Sequence, residues 1–252
     1  MHRDAEFLWQ VKNVTRPPER ISLAKKIRAR LRGFPKLSEL EPSISLLGDL
    51  RRLGWYESFQ QGPTIDGEPV PWLTYPAICW LESACVGLGA VFEYGCGNST
   101  LWWAKRSERV IGIEHDLRWL RRIGAARRPN VHIDHTPLAN YASSLAERDE
   151  RFNVIVIDGG LDRNACVAPA IDHLSVDGLI IFDDSHLALH AEGIRLLHRA
   201  GFRRVDFVGP RPGARFIEAT SVFSRDLNHW APAQGLPISR WIFAADGPET
   251  LP

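Results

Sequence analysis

Carboxylates follow apolar runs at four places in the chain. The first run is Val91-Phe92-Glu93-Tyr94-Gly95-Cys96-Gly97-Asn98-Ser99-Thr100. Its two glycines permit a tight turn and let the backbone approach a ligand closely. A helix beginning there aims free N–H groups at that ligand, which makes Gly95, Gly97 and Ser99 candidate cofactor contacts. The second run ends in Ile113-Glu114-His115-Asp116, and Glu114 follows Gly95 by 114 − 95 = 19 residues. A carboxylate at that distance accepts hydrogen bonds from both hydroxyls of a ribose. Asp116 suits the cap of the next helix. The full dinucleotide pattern G-x-G-x-x-G requires a third glycine where this chain has Thr100, which counts against a pyrophosphate site.

The other two runs end in Asp158-Gly159-Gly160 and in Asp183-Asp184-Ser185-His186. On neighbouring strands these would bring three carboxylates together. Like charges in one pocket raise each other's pKa unless a cation is present. Oxygen ligands of this kind suit Mg²⁺, which can hold a substrate hydroxyl and lower its pKa. Asp158, Asp183 and Asp184 are therefore candidate metal ligands, with helix capping or simple solvation as the plainer alternative. Asp158, Asp183 and His186 are the candidate catalytic groups, His186 because imidazole removes protons near neutral pH. His115, His132 and His135 have no telling partner spacing. Trp102-Trp103 reads as core packing. Trp72 and Tyr75 lie in a loop that can fold over a cleft and stack on a ligand.

The elements that must position these groups alternate regularly. Strands are expected over 90–94, 109–114, 130–134, 152–158, 178–183, 202–208 and 220–224, and helices over 98–105, 116–126, 165–174 and 187–200. Near-continuous apolar strands alternating with helices mean a mostly parallel sheet covered on both faces, an α/β fold. Upstream, helices are expected over 42–53, stopped by Gly54, and from Thr74-Tyr75-Pro76, with Thr74 as cap, to about Leu88-Gly89. Residues 16–36 carry eight basic residues and one acid on an amphipathic pattern, a helix able to touch an anionic membrane surface or to dock on the body. The expected organisation is a helical N-terminal extension with a substrate-side loop (1–75), a catalytic domain (76–225) and a C-terminal tail (226–252) containing Trp230 and Trp241.

The 252 residues carry 31 basic and 30 acidic side chains, a net charge of +1 that gives no reason to expect a nucleic-acid partner. No apolar stretch approaches the roughly 18 residues of a membrane span. The first residues lack the layout of a signal peptide. Four scattered cysteines without metal-type spacing read as buried thiols. The expected location is the cytoplasm.

The ordered motifs resemble those of class I S-adenosylmethionine-dependent methyltransferases over about residues 90–225. Val91–Gly97 is similar to their first motif, Ile113–Asp116 to their acidic second-strand motif, and Asp158-Gly159 and Gly178–Asp184 to those of strands four and five. The segment Pro71–Pro76 resembles a bacterial branch of that family. The resemblance implies a Rossmann-like seven-stranded sheet of order 3-2-1-4-5-7-6, with strand 7 antiparallel. It implies that Gly95 and Gly97 pass the methionine part of S-adenosylmethionine, that Glu93 lies near its amino group and Glu114 at its ribose, and that Asp134 is a candidate for the adenine amine. Asp158, Asp183 and Asp184 are also similar to the metal ligands of catechol-type O-methyltransferases, although Asp184 stands where Asn is usual. The function expected is methyl transfer to a hydroxyl of a small molecule or saccharide. A nicotinamide-dependent oxidoreductase is the enzyme alternative, opposed by Thr100 and by the lack of a Tyr-x-x-x-Lys pair. A non-catalytic scaffold is the other.

Overall fold

The computed structural model describes residues 41–60, 62–124, 128–160 and 162–231. The chain divides into two compact units, residues 1–49 and 50–252. The basic segment 16–36, Trp241 and most of the tail lie outside the described residues. Helix α1 (Glu41–Arg52) ends in Arg51 and Arg52, cations that suit the negative end of its dipole. Among the described residues no helix is long and apolar enough to cross a membrane.

Seven strands form one sheet: β1 (Leu88–Tyr94), β2 (Ser107–Glu114), β3 (Val131–His135), β4 (Phe152–Ile157), β5 (Leu174–Phe182), β6 (Arg203–Gly209) and β7 (Glu218–Ser224). Their order is β3-β2-β1-β4-β5-β7-β6. The pairs among β1 to β5 are parallel, and β7 runs antiparallel to both β5 and β6. This is the order the motif resemblance implies.

Successive residues of a strand face opposite sides, so a run without polar breaks feeds two cores. On one side Val91, Val110, Val154, Val156, Ile181 and Val222 pack with Leu73, Ile78, Leu81 and Trp103. On the other, Phe92, Ile111, Ile155, Ile157, Ile180 and Phe223 pack with Val167, Ala170 and Leu197. Helices α2 (Tyr75–Ala84) and α3 (Asn98–Trp103) belong to the first core, and α5 (Val167–His173) and α6 (Ala191–Arg199) to the second. Trp102 and Trp103 meet edge to face at 4.6 Å, so this pair is core packing. Trp230, from the start of the tail, is buried in the first core and donates to Asp177 O at 2.8 Å.

Several element ends differ from expectation by two to four residues, and three local features have a plain physical cause. Helix α2 stops at Ala84 and Gly87 turns the chain at φ +66°. Leu88 and Gly89 then open β1, because Asn153 Oδ1 accepts the N–H groups of Gly89 and Ala90 and holds them at the sheet. Thr74 does not cap α2 through its hydroxyl, which donates to Phe207 O on β6 instead. Strand β5 begins at Leu174, with a register irregularity against β4 that absorbs residues 175–178. Trp103 is fully buried, and Trp103→Ala should remove about 3–5 kcal/mol of stability, read as a lower urea midpoint with an unchanged m-value.

Candidate functional site

The parallel strands β1, β2, β4 and β5 end at one edge of the sheet, where open α/β sheets bind ligands. A cleft of about 380 Å³ lies there. Its floor is Gly95, Cys96, Gly97, Asn98 and Ser99, and its walls carry Glu114, Asp116, Asp158, Asp183 and Asp184 with Arg163 and Arg211. Five carboxylates against two guanidinium groups give the lining an acidic balance.

Gly95 sits at φ +90°, and a Cβ there would lie 2.9 Å from Asp158 O, so glycine is required. Gly97 has an extended backbone at φ −175°, and a Cβ there would meet Trp119 Nε1 at an ordinary 3.5 Å. Its freedom is therefore not what the turn uses. Thr100, where a dinucleotide site has its third glycine, is fully buried. Its hydroxyl accepts the Gly97 N–H at 2.9 Å and donates to Glu93 Oε2 at 2.5 Å.

Glu93 is fully buried and does not line the cleft. Burial pushes its carboxyl up to about 7, against the opposing pull of the nearby Ser99 and Thr100 hydroxyls, with Glu114 adding to the rise. Its Oε1 has no hydrogen-bond partner among the described residues. Glu114 does line the cleft. Its Oε2 accepts the Cys96 N–H at 3.2 Å, and its Oε1 accepts the N–H groups of His115 and Asp116 at 2.8 Å each. Three of about four lone-pair positions are thus in use, and the remaining one on Oε2 can take a ligand hydroxyl. Asp116 caps α4 (Leu117–Gly124) by accepting the Arg118 N–H at 2.8 Å.

Asp158, Asp183 and Asp184 come together as the strand ends suggested, but around Arg163. Its Nη2 lies 3.0 Å from Asp158 Oδ1 and 3.0 Å from Asp184 Oδ2. Its Nη1 lies 4.0 Å from Asp183 Oδ2. The expected Mg²⁺ ligand set is corrected accordingly: a guanidinium already stands among these oxygens, and among the described residues no three acidic, His or Cys groups are placed to hold a metal ion. Burial pushes the Asp158 carboxyl up to about 7, with Arg163 pulling it down and Asp184 and Glu93 pushing it up. Asp183 is raised well above the carboxylate range by burial and by its two neighbours, against Arg163 and a hydrogen bond from Thr220.

Besides Glu93, the candidates His186, Asp134 and Tyr75 are not brought to the cleft. His186 is exposed, and its Nδ1 accepts the Ala219 N–H at 3.2 Å. Asp134 pairs with Arg148 at 2.6 Å and His132 at 2.8 Å, away from the lining. Trp72 does reach the cleft and stacks on Trp119, with ring centroids 5.6 Å apart and planes 14° apart. The Trp119 indole N–H donates to Cys96 O. Tyr75 is instead a core residue whose hydroxyl donates to Leu53 O.

Sequence reasoning missed Arg163, Arg211 and Trp119. A basic residue five positions after a strand-end acid was a usable signal for Arg163. Nothing local distinguished Trp119 from an ordinary helix aromatic.

A buried carboxyl with a raised pKa holds its proton more tightly in the folded state. The stability this lends is complete below about pH 4.5 and declines as pH rises towards 7. The Glu93→Gln variant has no proton to lose at that position. The stability of the wild type relative to Glu93→Gln should therefore fall across this range, by up to about 3 kcal/mol, in urea titrations run at each pH.

No family model and no curated protein matches this chain. Among solved structures, spermidine synthase from Thermotoga maritima aligns at 14% identity and a TM-score of 0.49, over 61% of this chain and 59% of that one. The N-methyltransferase NodS from Bradyrhizobium japonicum in complex with S-adenosyl-L-homocysteine aligns at 17% identity and a TM-score of 0.43, over 58% of this chain and 81% of that one. An rRNA methylase from Streptococcus thermophilus aligns at 15% identity and a TM-score of 0.42, over 61% of this chain and 97% of that one.

Proposed function

We propose that the protein is an S-adenosylmethionine-dependent methyltransferase acting on a hydroxyl of a small molecule or saccharide. The observation that carries this reading is the acidic cleft built on the Gly95-Cys96-Gly97 turn, with Glu114 at its wall. A sulfonium cofactor brings positive charge, which such a lining attracts. A dinucleotide site needs a third glycine in the turn, and the buried Thr100 fills that position. The nicotinamide alternative is disfavoured on that count.

The residues present fit the cofactor. The open lone pair of Glu114 Oε2 would take a ribose hydroxyl, and the turn from Gly95 to Ser99 would pass its methionine part. Glu93 would act from behind the turn, through Thr100, to hold the Gly97 N–H in place. S-adenosylmethionine supplies an already activated methyl group, so the chain's work is alignment and exclusion of water. Trp72 and Trp119 offer flat apolar faces beside the turn, suited to a planar or sugar-like ring. Asp158, with a carboxyl near neutrality, is placed to take the proton of an acceptor hydroxyl, with Asp183 sharing the charge. His186 is not assigned that role, because its side chain is outside the cleft lining.

Calorimetric titration with S-adenosylhomocysteine should give one site per chain, and a parallel titration with NADH should give none. Glu114→Ala should weaken the first by about tenfold or more. NADH binding without S-adenosylhomocysteine binding would replace this reading with the oxidoreductase one.

A further inference from the structure

Three carboxylates at adjacent strand ends need a counter-charge, and a divalent ion is one solution. Here the counter-charge belongs to the chain. Arg163 Nε donates to Gly159 O at 3.1 Å, and Nη1 donates to Asp183 O at 2.5 Å. Two backbone carbonyls thus place the guanidinium independently of the acids, and Nη2 then serves Asp158 and Asp184 together. The side chain is only 11% exposed. Its neighbour Asn164 anchors the segment: Nδ2 donates to Leu189 O at 2.8 Å, and Oδ1 accepts the Gly193 N–H at 2.7 Å. Asp184 adopts a left-handed φ of 53°, a conformation that Asp takes more readily than most non-glycine residues.

We propose that Arg163 is the resident cation of this site, a positioning residue that stands in place of a divalent metal ion among Asp158, Asp183 and Asp184 and holds Asp158 for proton transfer. The cation half stands on the geometry alone. The proton-transfer half rests on the methyltransferase reading.

The other groups acting on this cluster are Arg211 from the loop before β7, Glu93 from β1, Tyr141 from the segment after β3, and His190 at the start of α6. None stands among the three acids as Arg163 does. Arg211 gives its Nε to Glu218 at the start of β7, and its charge also acts on Asp183 and Asp184. Loss of the Arg163 charge should therefore leave the acids under-compensated. They should then recruit a free cation, and Asp158 should hold its proton to higher pH.

The probe is Mn²⁺, followed by electron paramagnetic resonance. Wild-type protein should bind no Mn²⁺ at the cluster. Arg163→Met should gain one site per chain, lost again in Arg163→Met/Asp183→Asn. Wild-type uptake of Mn²⁺ that Asp183→Asn abolishes would overturn the proposal, and that arm needs no folded Arg163 variant. In methyl-transfer assays the acid limb of the pH profile should move up by about 1–3 units in Arg163→Met and stay near the wild-type position in Arg163→Lys. An active Arg163→Met enzyme with an unmoved limb would overturn the proton-transfer half. If the methyltransferase reading itself fails, S-adenosylhomocysteine does not bind, while the Mn²⁺ result still decides the cation half.

Discussion

A parallel sheet covered on both faces delivers the ends of its strands to one edge, at the boundary of two apolar cores. Carboxylates placed there are desolvated before any ligand arrives, and this constraint shapes everything else in the site. Glu93, Asp158 and Asp183 are all pushed towards their neutral forms by burial. Left uncompensated, such groups would destabilise the fold that carries them. The compensation is local and specific: Thr100 for Glu93, Arg163 for the acids of β4 and β5, and Thr220 for Asp183.

The same groups set the shape of the cleft. Glu114 accepts N–H groups from the turn after β1 and from the turn after β2, so one carboxylate ties two ligand-facing loops together. The buried Thr100 hydroxyl ties the glycine turn to β1. Asn98 Nδ2 donates to Pro63 O at 2.7 Å, which brings the loop before α2 across the mouth of the cleft and sets Trp72 against Trp119. Rigid floor and aromatic wall together are what an alignment-driven transfer requires.

Much of this was legible in the chain itself, because the physics of the strands is local. A strand buried on both faces must be an unbroken apolar run, and it must stop where polar residues begin. The runs ending at Tyr94, Glu114, Ile157 and Phe182 therefore announced both the fold and the residues at its working edge. Gly95 was equally readable, since its turn leaves room for no Cβ. Helix ends were less so. Whether residues 88–89 close α2 or open β1 depended on Asn153, more than sixty positions away.

What only the tertiary structure decided is which charges meet. Sequence showed three acids and implied a cation, and a divalent ion was the natural expectation. The guanidinium that stands there comes from a turn whose path is set by Asn164 bonds to Leu189 and Gly193, contacts between segments remote in the chain. His186 and Asp134 carried suitable chemistry at suitable positions, yet Ala219, Arg148 and His132 hold them elsewhere. Residue type and period determine strands, turns and the inventory of reactive groups, because these follow from short-range sterics and burial. The partner of each charge is settled by packing over the whole sheet edge, where a few ångströms separate a ligand contact from an internal ion pair.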